Sequence, residues 1–91
     1  MNYVSQESFQ LARTMEQKIA SLPSASGILF VGITPEPVEN GISSTYTVRV
    51  GMSRLFETGA VHAIVSQILT PEISVGVDLR IEVYKGIAAR G

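Results

Sequence analysis

The chain has 91 residues, of which 45% are hydrophobic and 16% are charged, and its formal net charge is −1. This length suits one domain with one hydrophobic core, and the near-neutral charge provides no electrostatic basis for binding nucleic acid or an anionic membrane. The absence of cysteine excludes disulfide bonds, thiolate catalysis and cysteine-ligated metal centres.

We expect a single domain spanning residues 1–91, in which residues 86–91 form a flexible, solvated tail. The N-terminal residues 1–22 are polar and of mixed charge, without the basic and apolar segments of a secretory signal. The longest apolar run is too short to span a bilayer. Together these features favour a cytoplasmic protein that does not enter a membrane.

The first predicted element is a helix over about residues 5–22. Its apolar residues recur at helical spacing and form one stripe: Leu11, Ala12, Met15, Ile19 and Leu22. Ser5 is a candidate N-cap, and the acidic Glu7 lies in the first turn. Pro23 ends the helix, and a turn follows it.

Residues 27–34 are the most apolar run in the chain and show no alternation of apolar and polar residues. A strand with one wet face should alternate, whereas a strand that is covered on both faces need not. We therefore predict that this run is the first strand and lies at the centre of a sheet.

The segment that follows, residues 35–41, breaks the strand. Its two prolines lack backbone donors, and its Asn-Gly pair favours a turn. The segment is longer than a tight hairpin loop, and we expect it to project from the body. The candidates in it for contact with a partner protein are Pro35, Glu36, Pro37 and Glu39.

Two further strands and a second helix complete the prediction. Strand two, over about residues 43–52, and strand three, over about residues 74–85, both alternate with period two. The helix between them covers about residues 55–69 and ends at Thr70 and Pro71. We expect the following residues to face the helices: Tyr46, Val48, Val50 and Met52 from strand two, and Val77, Leu79, Ile81 and Val83 from strand three.

The order α-β-β-α-β predicts an α+β fold, a two-layer sandwich with both helices on one face of a three-stranded mixed sheet. Strands one and two form an antiparallel hairpin. The second helix returns the chain, so strand three runs parallel to strand two. With the apolar first strand at the centre, the predicted sheet order is 2-1-3.

The sheet face opposite the helices would then carry an apolar stripe from strand one between polar edge strands. The stripe is either Ile28, Phe30 and Gly32 or Leu29, Val31 and Ile33. An apolar centre with a polar rim is typical of a protein interface, so we predict that a second copy covers this face in a homodimer. The candidate residues for self-association are Ile28, Phe30, Gly32, Arg49, Arg80 and Tyr84.

The sequence leaves two alternatives to this face-to-face dimer. In a monomer, the stems of Arg49, Arg80 and Tyr84 would fold over the stripe. In a different dimer, the open edges of strand two or strand three would pair with the same edge of a second copy and form a six-stranded sheet. The sequence does not distinguish the pairing of faces from the pairing of edges.

No residue pattern indicates a catalytic or metal centre. His62 is the one histidine, and on the predicted helix it points away from the apolar stripe. A solvent-facing position is therefore favoured over a catalytic cluster with Ser66 and Glu57. No carboxylate pair specifies acid–base work, and we predict no metal and no cofactor.

Three residues near the start of the second helix are candidates for holding an anion or small ligand: Ser53, Arg54 and Thr58. A helix N-terminus attracts anions, although capping alone also explains a serine and a threonine there. No glycine-rich phosphate-binding motif accompanies them.

Binding or assembly is therefore favoured over catalysis. The first hypothesis is a small homo-oligomeric interaction or assembly protein, whose partner is itself or another protein. The second hypothesis is a regulatory protein that binds a small ligand or anion at the start of the second helix. The third hypothesis is a small enzyme with a site at a subunit boundary around His62.

Overall fold

The computed structural model describes residues 1–22, 27–53 and 58–85. These residues form an α+β domain with helices packed on a three-stranded mixed sheet, so the predicted fold class is confirmed. In chain order the elements are α1 (Gln6–Ala20), β1 (Ile28–Pro35), β2 (Thr45–Met52), α2 (Thr58–Ile68), α3 (Thr70–Ser74) and β3 (Asp78–Tyr84). Residues 86–91, which the sequence predicted to be a tail, lie outside the described residues.

Helix α1 begins at the predicted cap. The side chain of Ser5 accepts a hydrogen bond of 3.2 Å from the backbone N–H of Ser8, which satisfies one of the unpaired donors in the first turn. From the predicted stripe, Ala12, Met15 and Ile19 are buried in the core. Full burial of the two larger side chains contributes on the order of 1.5–3 kcal/mol each, so packing holds this helix on the sheet.

The central strand is β2, so the predicted order 2-1-3 is wrong. β1 pairs with β2 in the antiparallel sense, β3 pairs with β2 in the parallel sense, and the sheet order is β1-β2-β3. The physical reason is the β-α-β crossover, which carries the chain from β2 through α2 to a parallel neighbour of β2. The residues of β2 that face the helices are at most 2% exposed, as expected for a central strand: Tyr46, Val48, Val50 and Met52.

A bulge explains why β1 lacks a pattern of alternation. Ile28 pairs with Met52. The next pair joins Phe30 to Gly51, so Leu29 is an extra residue in β1. The bulge leaves Ile28 packed against the core, whereas Leu29 and Phe30 are 47% and 43% exposed. The apolar run therefore reflects an irregular edge strand and not a strand covered on both faces.

The predicted helix-facing residues are confirmed, but the depth of burial differs between strands. The β2 residues are fully buried, while Leu79, Ile81 and Val83 of β3 are half-buried and pack at the margin of the core. Val77 is buried just before β3 begins. Since α1 packs mainly across β1 and α2 touches β3 only lightly, the helix layer covers β3 incompletely.

Residues 70–74 form the short helix α3, which the sequence prediction missed. Pro71 lies in its first turn, where the missing N–H of proline removes no helical hydrogen bond. This proline therefore begins a helix as well as ending the previous one. Gly76, with φ of 102°, takes the chain out of α3, and β3 begins at Asp78 and not near residue 74.

Polar contacts at both ends of α1 join it to other parts of the domain. The ammonium group of Lys18 in α1 pairs with Oε2 of Glu72 in α3, whose side chain is only 9% exposed. The Oε1 atom of Glu72 is buried and has no hydrogen-bond partner among the described residues. Near the start of α1, the buried hydroxyl of Ser8 accepts a hydrogen bond of 2.7 Å from the N–H of Ser43.

Candidate interaction surface

The open face of the sheet, opposite the helices, is arranged in rows that cross the three strands. The register places Phe30 of β1, Gly51 of β2 and Tyr84 of β3 at one level, and we call these three residues the aromatic row. The two rings stack with centroids 6.2 Å apart and an interplanar angle of 26°. They remain 43% and 40% exposed, so the row is an apolar patch on a sheet face open to solvent.

The neighbouring row is charged and consists of Gly32, Arg49 and Glu82. The Nε atom of Arg49 lies 3.3 Å from Oε1 of Glu82, and the hydroxyl of Tyr84 donates to the same oxygen at 2.9 Å. Arg49 also donates to Oγ1 of Thr34 at 3.4 Å. Because the arginine and glutamate side chains are 45% and 42% exposed, solvent screens this ion pair and it adds little to stability.

The predicted apolar stripe along the centre of this face is wrong. Polar residues of β2, Thr45, Thr47 and Arg49, occupy the centre, and the large apolar side chains lie at one end. Ile28 lies on the helix side because of the bulge. The other predicted self-association residues do lie on the open face: Phe30, Gly32, Arg49, Arg80 and Tyr84. A polar centre is a weaker basis for face-to-face packing than the stripe expected from the sequence.

The outer edge of β1 is bonded by α1 at one backbone donor. Its even-numbered residues direct their backbone groups toward β2, so Val31, Ile33 and Pro35 direct theirs outward. The N–H of Ile33 donates to a carboxylate oxygen of Glu16 in α1 at 2.8 Å, and Pro35 has no N–H. Helix α1 thus hinders the pairing of β1 with a further strand, which is one way that proteins protect sheet edges.

The outer edge of β3 is open within the described residues. The N–H of Asp78 donates to the carbonyl of Ser44 at 2.7 Å, so the even-numbered residues of β3 direct their backbone groups toward β2. The odd-numbered Leu79, Ile81 and Val83 direct theirs outward, and the described part of the chain forms no hydrogen bond to them. The sequence predicted open edges on strands two and three. Strand two is central, so that half of the prediction is wrong.

Residues 35–41 are held against the body, so the expectation of a projecting loop is wrong. Pro35 is buried as the last residue of β1. Val38 exchanges two backbone hydrogen bonds with Tyr3, of 2.8 and 2.9 Å. The hydroxyl of Ser43 donates to the carbonyl of residue 36 at 2.6 Å. Three predicted partner-contact residues in this segment are exposed: Glu36, Pro37 and Glu39.

The predicted anion site is described only in part. Ser53 is exposed, and its N–H donates to the carbonyl of Gly27 at 2.8 Å. Thr58 is the first residue of α2. Arg54, the one cation of the predicted set, lies outside the described residues. The residues that are described do not bring together an anion-binding site.

His62 lies half-buried on α2 and makes no hydrogen bond with Ser66 in the described structure. Glu57, the carboxylate considered beside it, lies outside the described residues. Within residues 1–22, 27–53 and 58–85, no three metal-ligating side chains come together. Across the same ranges, no helix combines the length and the apolar character needed to cross a bilayer.

A cleft that the sequence did not predict lies between the end of α1 and the start of β1. Its volume is about 320 Å³, near the lower end of small-molecule sites. The lining residues are Ile19, Ala20, Leu22, Ile28, Leu29, Phe30 and Val31. All of these side chains are apolar, so none of them could orient a ligand through a hydrogen bond.

Comparisons of this chain with protein-family models, with curated proteins and with solved structures found no match. The geometry of the sheet is therefore the guide to function. Two features of that geometry are available for interaction: the aromatic row on the open face and the outer edge of β3.

Proposed function

We propose that this protein is a small homo-oligomeric interaction or assembly protein that self-associates through the outer edge of β3. The observation that carries the proposal is the difference between the two sheet edges in the described residues. On β1, Glu16 of α1 accepts from the N–H of Ile33, whereas the described residues bond none of the outward backbone groups of Leu79, Ile81 and Val83 on β3. An unpaired strand is a template for another strand, and the simplest partner is the same edge of a second copy.

The side chains along β3 also suit an edge that becomes covered. Leu79, Ile81 and Val83 face the helix layer but are only half-buried. Val75, in the turn before β3, is 81% exposed. Pairing of two β3 strands would remove part of this apolar surface from water, at about 25 cal/mol per Å². Edge pairing therefore combines backbone hydrogen bonds with apolar burial.

We expect the association to be weak and dependent on concentration. A ladder between two strands of 7 residues buries less than the total of about 1,200 Å² typical of stable interfaces. Each backbone hydrogen bond contributes about 0.5–1.5 kcal/mol net, and part of that sum offsets the entropy lost on association. A dissociation constant on the order of 10–100 µM is consistent with these terms.

Sedimentation equilibrium over a range of about 5–300 µM, which brackets that constant, tests the proposal. The decisive variant is Val83→Pro, because it removes an outward N–H and leaves the bonds between β3 and β2 in place. The matched control is Val83→Thr. It also reduces the apolar contact, because a hydroxyl replaces one methyl group, but it keeps the N–H and the strand propensity. Circular dichroism checks that both variants are folded.

We expect the wild-type chain and Val83→Thr to form dimers at the upper concentrations, and Val83→Pro to remain monomeric. A wild-type chain that stays monomeric throughout the range overturns the proposal. Equal association of Val83→Pro and Val83→Thr would show that the outer edge of β3 is not the contact surface.

A third variant separates edge pairing from packing of the open faces. Phe30→Lys places a charge at the β1 end of the aromatic row, on the strand at the opposite edge of the sheet from the outer edge of β3. Edge pairing predicts that Phe30→Lys dimerises as the wild type does. Loss of the dimer in Phe30→Lys, with no effect of Val83→Pro, would overturn edge pairing in favour of the open face.

A further inference from the structure

We infer that two β3 strands pair in the antiparallel sense about a two-fold axis at Ile81, with Arg80 of each copy opposite Glu82 of the other. This inference rests on the proposed self-association and adds to it the register and the residues that select it. Its basis is the direction of the backbone groups along β3 and the order of charges on its open face.

The backbone limits the registers that are available. Outward N–H and C=O groups belong to odd-numbered residues of β3, and an antiparallel ladder requires such residues to face each other. With Ile81 opposite itself, Leu79 of one copy faces Val83 of the other. Each of these levels exchanges two backbone hydrogen bonds, and the bonds to β2 are unaffected because even-numbered residues make them.

The apolar side chains agree with this arrangement. The axis runs perpendicular to the sheet, so the helix layers of both copies lie on the same side of the combined six-stranded sheet. On that side, Ile81 of one copy contacts Ile81 of the other. On each flank of this contact, Leu79 of one copy lies beside Val83 of the other. All three side chains are half-buried in the single chain and lose further contact with water in the pair.

The charged side chains on the open face distinguish this register from others. Arg80 falls opposite Glu82 of the second copy at two symmetric levels, and facing residues at such levels bring their side chains closest. Arg80 is exposed and forms no ion pair within the described residues. Glu82 uses Oε1 for its contacts with Arg49 and Tyr84, which leaves Oε2 for the arginine of the second copy.

The neighbouring registers bring like charges together. A shift of the strands by two residues in one direction places Arg80 opposite itself and Asp78 opposite Glu82. A shift by two residues in the other direction places Glu82 opposite itself. Like charges directly opposite each other destabilise a strand pair. The register at Ile81 is thus the one of these three that pairs opposite charges.

Charge reversal tests the register in solution. Arg80→Glu sets two carboxylates against each other at both levels, and Glu82→Arg does the same with two guanidinium groups. Since attraction becomes repulsion at two levels, we expect each variant alone to dimerise at least about tenfold more weakly than the wild type. An equimolar mixture of the two should recover an affinity close to that of the wild type, because opposite charges then face each other again.

The variants differ in their effect on the single chain. Arg80→Glu leaves the pair between Arg49 and Glu82 in place, so we expect it to fold as the wild type does. Glu82→Arg removes that exposed pair. Thermal unfolding of each variant by itself checks whether the variant is folded, so that weak association can be assigned to the contact between copies.

Cysteine cross-linking provides a second readout, because the chain has no cysteine of its own. Ile81→Cys places two thiols at facing positions, with Cα atoms about 5.5 Å apart, which a disulfide can bridge. Leu79→Cys is the control, since its two copies would lie four residues apart along the ladder, about 13 Å, and beyond reach. With a mild oxidant, we expect a covalent dimer from Ile81→Cys and none from Leu79→Cys.

The outcomes separate this inference from the proposal on which it rests. A monomeric wild-type chain overturns both. Dimerisation that Val83→Pro abolishes, combined with a mixture of Arg80→Glu and Glu82→Arg that associates no better than either variant alone, supports the edge and overturns the register. Cross-linking of Leu79→Cys as fast as Ile81→Cys overturns the register in the same way.

Discussion

The ring of Phe30 lies over Gly51, in the space that a Cβ atom on residue 51 would occupy. Tyr84 stacks against the same ring from β3. Glycine inside a strand costs about 0.5–1 kcal/mol relative to alanine, and an aromatic ring that covers the glycine backbone offsets this cost. Because Gly51 of the central strand has no side chain, the Phe30 ring can cross that strand and stack against Tyr84.

We expect Gly51→Ala to lower the free energy of unfolding by about 1 kcal/mol, because the new methyl group displaces the Phe30 ring and disrupts its stacking with Tyr84. In a Phe30→Ala background the sign should reverse. There the same change should stabilise the protein by about 0.5 kcal/mol, since alanine favours the strand over glycine. Urea denaturation of the four chains in the double-mutant cycle measures this coupling.

Gly32→Ala is the matched control for that cycle. It lies on the same open face, and a Cβ there would meet nothing within 4 Å. We expect it to be neutral or slightly stabilising in both backgrounds. A loss of stability on Gly51→Ala that is equal with and without Phe30 would contradict the role assigned to the ring.

The cap on β1 leads to a second prediction. Glu16→Ala should destabilise the protein by about 1–2 kcal/mol, because the N–H of Ile33 loses a carboxylate acceptor. Glu16→Gln keeps a carbonyl oxygen at the same place and should retain most of the stability. Gln17→Ala, at an exposed position of the same helix, controls for helix propensity. Hydrogen exchange at the Ile33 amide is the direct measurement, and protection that is unchanged in Glu16→Ala would count against the cap.

The ion pair between α1 and α3 should respond unequally to the loss of each partner. Lys18→Met leaves the mostly buried carboxylate of Glu72 without its counter-charge and should cost about 1–3 kcal/mol. Glu72→Gln should cost less, because the lysine that remains is 37% exposed and solvent can hydrate it. Arg13→Met, at an exposed position of α1, is the control for removal of a positive charge. Thermal unfolding that ranks Glu72→Gln below Lys18→Met in stability would refute this explanation.

The buried Tyr46 makes stability sensitive to alkaline pH. Burial raises the pKa of Tyr46 above its ordinary value, and the nearby hydroxyl of Ser8 offsets part of that rise without forming a well-aligned hydrogen bond to Tyr46. Above pH about 10 the unfolded chain loses a proton that the folded chain still holds, so the free energy of unfolding falls as pH rises. At neutral pH, the contribution of the protonated Tyr46 to the free energy of unfolding is fully present.

Tyr46→Phe should remove this alkaline loss. At neutral pH it should change stability by less than about 0.5 kcal/mol or increase it, because the Tyr46 hydroxyl has no hydrogen-bond partner among the described residues. Tyr3→Phe, at a position 49% exposed, should leave the alkaline loss as in the wild type. Urea titrations between pH 7 and about 11 compare the three chains, and parallel profiles for all of them would argue against the raised pKa.

Local pattern alone was enough to predict every described element except α3, and the buried faces of α1, β2 and β3. The period of the apolar residues placed α1, β2 and β3, the serine at position 5 marked the start of α1, and Tyr46, Val48 and Val50 were expected in the core where the structure has them. These features depend on neighbours within a few residues, and helical and strand periodicity record such neighbours directly. The α+β class follows from the order of the elements.

Strand order and the character of the sheet's two surfaces depended on contacts between residues distant in the chain. The apolar run of β1 predicted a central strand, but a bulge at Leu29 and the crossover through α2 place β2 in the centre. Whether an edge is capped depends on a contact such as that between Glu16 and Ile33, which no local pattern encodes. The run that was expected to need cover from a second copy is an edge strand, and α1 bonds its outer edge at Ile33. Among the described residues, the edge that the tertiary structure leaves open is that of β3, because no other segment bonds its outward backbone groups and the helix layer covers this strand incompletely.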